Sequence, residues 1–337
     1  MNQTLFESSH RQRWQEFDAG MKTLAERQSV KNAEARGAAS HAWPQRYREI
    51  ASHLALARDR AYSPELVDYL SQLALRGHQA LYGARSNAWN AMVNFIGHDF
   101  PVLVRNESRL VWFAMALLFV PLIAMIAVLQ AYPEFVYYLV SPEQVRSFEQ
   151  MYAPDNRVLG PQRGAGSQVT MFGFYIWNNV KIDFQCFAGG MLYGIGSIFF
   201  LLFNGFNIGA VAGHLTHLGY IETFWGFVSG HSSWELLGAA LSGAAGLKLG
   251  WALIAPGRLT RMAALKEAAV PAVRLLYGAA GMTVFAAFVE AFWSSTASIP
   301  AQVKYVVGIV GWILFAAYFT LVGRGRRGDA QKDNNAH

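Results

Sequence analysis

From residue 110 to residue 322 the chain alternates between long apolar runs and short polar breaks, and the breaks carry their basic residues on alternate sides. A helix needs about 20 apolar residues, in a range of roughly 17–25, to cross the hydrocarbon core of a bilayer. The pattern therefore makes this an integral membrane protein, an all-α polytopic bundle. It also makes any polar side chain inside a run costly enough to need a reason.

Composition matters here for its unevenness. The chain is 53% hydrophobic over 337 residues, yet residues 1–109 carry 14 Lys/Arg and 11 Asp/Glu, and charge nearly vanishes inside the runs beyond Leu110. Three regions are expected. Residues 1–105 form a cytoplasmic helical region with an interfacial amphipathic segment, 106–323 the transmembrane domain, and 324–337 a basic, polar cytoplasmic tail. The net charge of +6 sits beside apolar runs, where headgroups and the positive-inside bias account for it, so no nucleic-acid partner is expected. Cys186 is the single cysteine, which excludes an intrachain disulfide. The opening MNQTLFESSHRQRWQEF has no apolar signal-peptide core, which places the N-terminus in the cytoplasm.

Within the first region, Trp14, Phe17, Met21 and Leu24 form a helical stripe over 9–28, and Tyr47, Ile50 and Leu54 another over 44–60. KNAEARGAASHAWP between them reads as a loop. Ser63, Pro64 and Glu65 start a third helix, which runs toward Phe95 with a break near Gly83. Residues 89–105 are amphipathic, suited either to the membrane surface, with Arg105 and Arg109 at headgroups, or to packing on the other N-terminal helices.

About six spans are expected: 110–131 with a kink at Pro121, 184–203, 206–218, 231–254, 272–293 and 303–322. Asn204-Gly205 is read as the turn dividing 184–218, re-entrant segments being the other option, and 168–182 as an amphipathic helix ahead of the second span. With both termini in the cytoplasm, the basic 256–270 loop and the tail from Arg324 fall inside; the short outer loops near 220–229 and 294–302 carry no Lys or Arg, and the outer 132–167 loop balances Arg146, Arg157 and Arg163 with Glu134, Glu143, Glu149 and Asp155. Small residues recur at spacing four: Gly205, Gly209 and Gly213, then Gly238, Ser242, Gly246 and Gly250. That stripe lets membrane helices approach closely.

The polar residues of this domain are few. Asn178, Asn179, Lys181 and Asp183 stand at the start of the second span, and Asn204 and Asn207 flank the expected turn. His214 and His217 end the third span, Glu222 lies in the loop, His231 and Glu235 open the fourth span, and Glu290 lies near the outer end of the fifth. His231 and Glu235, four apart, share a helix face. Such a pair can tie a bundle together, shuttle a proton or bind a metal, and His214 and His217 would complete a metal set. Asn178, Asn179, Asn204, His231, Glu235 and Glu290 are thus the candidate polar site, with His214, His217, His231 and Glu235 the candidate metal ligands. No phosphate loop, serine elbow or paired-cysteine motif is present, so no catalytic residue and no cofactor is assigned.

The run NNVKIDFQCFAGGMLYGIGSIFFLLFNGFNIGAVAG, followed by GHSSWELLGAALSGAAGLKLG, resembles the stage II sporulation protein M family of bacterial and archaeal membrane proteins. Asn178-Asn179, the Gly-rich span, Asn204-Gly205, and His231 with Glu235 before a small-residue helix carry the likeness. It extends over about 105–323, and Ser232 departs from a glycine in the family's His-Gly-x-x-x-Glu-like stretch. The resemblance implies a multi-span α-helical inner-membrane protein, and it carries over no enzyme activity to this chain. In spore formers the namesake works in a membrane complex with peptidoglycan-degrading partners. Relatives elsewhere accompany MoxR-type ATPases and von Willebrand A domain proteins. A scaffold of a cell-envelope complex is the leading expectation. A transporter or channel with a His/Glu site and an intramembrane metal-dependent hydrolase are the alternatives. The bilayer, other membrane or cytoplasmic proteins, and a second copy of the chain are the expected partners.

Overall fold

A computed structural model describes residues 2–29, 43–156, 159–160 and 168–324, with side chains of 21–29, 43–44 and 79–87 left aside. The expected 31–44 loop (nearly all of it), the Gly/Gln stretch at 161–167 and the tail beyond Arg324 lie outside the described residues. The chain divides into two compact units, Met1–Asn94 and Phe95–His337. Among the described residues every regular element is helical.

The first unit is built from α1 (Gln3–Ser29), α2 (Trp43–Asp59) and α3 (Pro64–Asn94). Its core is Phe6, Trp14, Phe17, Ile50, Ala57, Leu66, Leu70 and Leu73, apolar positions at helical spacing that bury one face of each helix. Trp14 Nε1 donates to His53 Nδ1 at 3.1 Å, and Arg76 pairs with Asp18 at 2.8 Å. The backbone of α3 is continuous, with no break at Gly83.

The second unit opens with a π-helical turn, Phe95–Asp99, and α4 (Phe100–Asn106). Phe100 and Val104 are buried in the core of this unit, and Arg105 Nη1 donates to the Phe319 carbonyl at 2.8 Å. Of the amphipathic 89–105 stretch, residues 89–94 end α3 of the first unit and 95–105 pack by Phe100 and Val104 into the second.

Six long helices follow: α5 (Ser108–Ala131), α8 (Gln168–Ala188), α9 (Ile195–His217), α10 (Gly226–Ile254), α11 (Arg261–Val289) and α12 (Ala301–Leu321). The short α6 (Val136–Leu139) and α7 (Pro142–Met151) lie between α5 and α8. Ser141 and Gln144 start α7 with a reciprocal capping box. Among the described residues, five segments are long and apolar enough to cross a membrane: Ser108–Ala131, Ile195–His217, Ile221–Ile254, Arg261–Ser294 and Ala301–Leu321. The chain is a polytopic membrane helix bundle. The sixth long helix, α8, carries Asn178, Asn179, Lys181 and Asp183 and is more polar than the rest.

The division of 184–218 differs from expectation. Asn204-Gly205 makes no turn; α9 runs through it unbroken. Asn204 Nδ2 donates to the Phe200 carbonyl at 2.7 Å, which satisfies the amide within the helix. Gly205 serves packing, because a Cβ there would meet the Leu118 carbonyl of α5. The reversal falls at 189–194, where Tyr193 and Gly194 take φ of 55° and 83°, left-handed values that glycine tolerates best.

Successive long helices run antiparallel. At one end, Glu107 before α5 holds Lys248 of α10 at 2.7 Å, and the 189–194 turn lies against Gly246 and Gly250. At the other end, Gln130 reaches the Gly213 carbonyl at 3.0 Å, and Tyr305 reaches the Ile221 carbonyl at 3.0 Å. The bundle therefore begins and ends on its first side. α10 is the central helix: 72% of its apolar window is buried, against 17% for α12. Its glycines make this possible, since helices in lipid gain association energy from close contact.

Candidate functional site

The interior polar residues gather beside α10, toward the second end. A π-helical turn, Ile221–Trp225, leads into α10 and another, Glu290–Ser294, prolongs α11. Such turns insert a residue and re-aim the side chains they hold. His231 and Glu235 lie one helical turn apart, with Nε2 and Oε2 separated by 3.7 Å. Glu290 comes from the prolonged α11. Ligand-capable atoms of His231, Glu235 and Glu290 all lie within 4.8 Å of one another.

Other residues fix this trio. The His231 ring is 3% exposed, and its Nδ1 contacts Ser294 Oγ at 3.0 Å. Phe227 packs edge-on against the ring at 5.3 Å between centroids. Lys304 of α12, 1% exposed, donates to the Ser294 and Thr296 carbonyls, both at 2.8 Å. It closes the open end of the π-helical turn.

Toward the middle of the bundle the polar track continues on α8. Asn178 Nδ2 donates to Asn179 Oδ1 at 2.9 Å, and Asn179, 4% exposed, has no partner for its own Nδ2 among the described residues. One turn further, Asp183 accepts from Thr283 Oγ1 of α11 at 2.6 Å. Asn179, Asp183, Asn204, Glu235 and Thr283 line one cavity of about 20 Å³. The second end is roofed by Tyr152, Leu159, Tyr175, Phe224 and Phe227. Burial, then the charge of Glu290, pushes the Tyr152 phenol well above its ordinary range.

All six candidate polar residues thus belong to one track: His231, Glu235 and Glu290 as a trio, Asn179 and Asn204 on the adjoining cavity, and Asn178 bonded to Asn179. The other candidate metal ligands stand apart. His214 contacts Glu149 at 2.8 Å, and His217 is exposed. Cys186 is a buried packing residue. Sequence reasoning missed Ser294 and Lys304, although a lone lysine inside an apolar run was signal enough. It also placed Asp183 at the outer mouth of a span, whereas Asp183 meets Thr283 inside the bundle. A separate open groove of about 880 Å³ lies at the first end, lined by Glu107, Arg109, Lys248, Trp251 and Glu267 among others.

A family model described as Stage II sporulation protein M matches residues 111–295, a stretch containing the trio, Asn179, Asp183 and Ser294. A second, described as Domain of unknown function (DUF8413), matches residues 4–83, within the first unit. Searches of curated proteins and of solved structures gave no match.

Proposed function

The chain belongs to the stage II sporulation protein M family, and from that premise we propose that it is a non-enzymatic scaffold of the inner membrane, the integral component of a cell-envelope protein complex. One observation carries this reading. The cavity beside the polar trio is about 20 Å³, whereas small-molecule sites measure roughly 300–1,000 Å³. The bundle interior at its polar centre is filled by helix contacts and hydrogen bonds, as suits a rigid docking element. The first unit, with its own core, supplies a separate helical surface for a cytoplasmic partner.

Orientation follows from charge. Arg105, Arg109, Arg258, Arg261, Lys266 and Arg324 cluster at the first end, and the 218–230 and 295–300 connections hold no Lys or Arg. The 132–167 connection holds Arg146, Arg157 and Arg163 among Glu134, Glu143, Glu149 and Asp155, and the balance of basic residues supports a cytoplasmic first end with both termini on that side. A MoxR-type ATPase and a von Willebrand A domain protein are the partners that the family suggests. Gentle detergent extraction from native membranes should recover the full chain with partners at fixed stoichiometry. Recovery of the chain alone, from membranes in which such partners are abundant, would remove this reading.

A second reading, passage of a proton or small ion, is favoured by the track from Glu290 through Glu235 to Asp183. Proteoliposome flux abolished by Glu235→Gln would support it; flux absent from the wild-type chain, or unchanged in that variant, would exclude it.

A further inference from the structure

We infer that His231, Glu235 and Glu290 bind one divalent metal ion of the zinc–manganese class, held between α10 and the π-helical turn that prolongs α11. One imidazole and two carboxylates suit such ions. Ligands about 2.1 Å from a tetrahedral ion lie roughly 3.4 Å apart. The three ligand-capable atoms already lie within 4.8 Å, so small side-chain rotations close the set.

Three surrounding features point the same way. His231 Nδ1 is engaged by Ser294 Oγ at 3.0 Å, which leaves Nε2 on the side of Glu235. A ligating histidine typically has its second nitrogen held by such a partner. The Lys304 ammonium is directed to the carbonyls of Ser294 and Thr296; it braces the turn and leaves the imidazole and carboxylates to the ion.

The third feature is Asn179. It is 4% exposed, its Nδ2 has no partner among the described residues, and it shares the cavity of about 20 Å³ with Glu235. That volume holds about one water. A water there can accept from this amide and donate to the Glu235 carboxylate, steadying that ligand from behind. Asp183 lines the same cavity and is bonded to Thr283 at 2.6 Å, so it is a neighbour of the site and not a ligand.

The inference is independent of the scaffold reading. It is tested on the untagged full chain, purified in detergent after growth with added Zn²⁺ or Mn²⁺. Metal is measured by mass spectrometry, and thermal unfolding is followed after chelation and on return of Zn²⁺ alone. About one ion per chain is expected, with a lower unfolding temperature after chelation that Zn²⁺ restores. Glu235→Gln and Glu290→Gln should fall below about a tenth of the wild-type metal content, and His214→Ala should retain it. If either Glu variant elutes as aggregate, Ser294→Ala replaces it. As a positioning change it should weaken Zn²⁺ binding by roughly 10–100-fold. The proposal is overturned if the folded wild-type chain takes up neither ion, if Glu235→Gln or Ser294→Ala binds as the wild type does, or if His214→Ala loses the metal equally.

Discussion

Replacing Gly246 by alanine puts one methyl group at a tight crossing in the bundle. The new Cβ would stand 2.5 Å from the Cys186 carbonyl and 2.8 Å from that of Phe187, and closer still to Ser197 Oγ. Ordinary contact begins near 3.4 Å, so α10 and the end of α8 must part by about 0.9 Å, the difference between 3.4 and 2.5 Å. Overpacking of this kind costs about 1–3 kcal/mol. Ser197 donates to the Cys186 carbonyl at 2.6 Å, and the methyl displaces that buried bond at a cost of about 1–2 kcal/mol. The helix gains about 1 kcal/mol from alanine over glycine. The net expectation is a loss of about 1–4 kcal/mol, the sum of those terms. Gly281→Ala is the control, since nothing lies within 4 Å of a Cβ there; it should be neutral or stabilising by up to about 1 kcal/mol. SDS-driven unfolding of the detergent-solubilised chain measures both. Gly190→Ala meets Gly246 across the same crossing, so the double variant should cost less than the sum of the singles. If Gly246→Ala proved as stable as Gly281→Ala, the close approach of the end of α8 and of Ser197 to α10 would be wrong.

Three further outcomes follow from the same structure. Lys304→Met strips the donor from the buried Ser294 carbonyl, which costs about 1–3 kcal/mol, while the Thr296 carbonyl keeps the Ile299 N–H at 3.4 Å; the loss is read by the same SDS titration. Thr283→Val takes from Asp183 its 2.6 Å hydroxyl donor and should destabilise by about 1–3 kcal/mol, whereas Thr283→Ser should restore most of the loss. In the first unit, burial and then the neighbouring His10 hold His53 below its usual value of 6.5, and its Nδ1 accepts from Trp14. The unfolded chain therefore binds the proton first; stability is complete above pH 6.5 and falls as pH drops below it. Hydrogen exchange in residues 3–17 and 47–57 of the full chain should quicken at pH 5 relative to pH 7.5 and be pH-insensitive over that interval in His53→Phe, apart from the intrinsic rate.

Much of this architecture was written in one-dimensional signals. Apolar run length marks α5, α10, α11 and α12, and the 3.6-residue period puts His231 and Glu235 on one face. Where sequence reading failed, a local signal had a tertiary cause. Asn204-Gly205 has the composition of a turn, but Gly205 exists to let α9 touch α5, and only the packing distinguishes the two. The true reversal at Tyr193-Gly194 hides in an apolar run, because its residues face lipid and contacts within the bundle. Glu290 joins His231 through a π-helical turn, and an inserted residue of that kind leaves no periodic trace. Ser294 acts through its hydroxyl on a side chain 63 residues away, a relation no spacing rule encodes.

Single cysteines at Leu259 and Ser298, in a Cys186→Ser background, give the most direct test of the bundle's arrangement. A membrane-impermeant maleimide applied to intact cells should label position 298 and reach position 259 only after permeabilisation. Labelling of both positions from the same side of the membrane would contradict the six-helix antiparallel account.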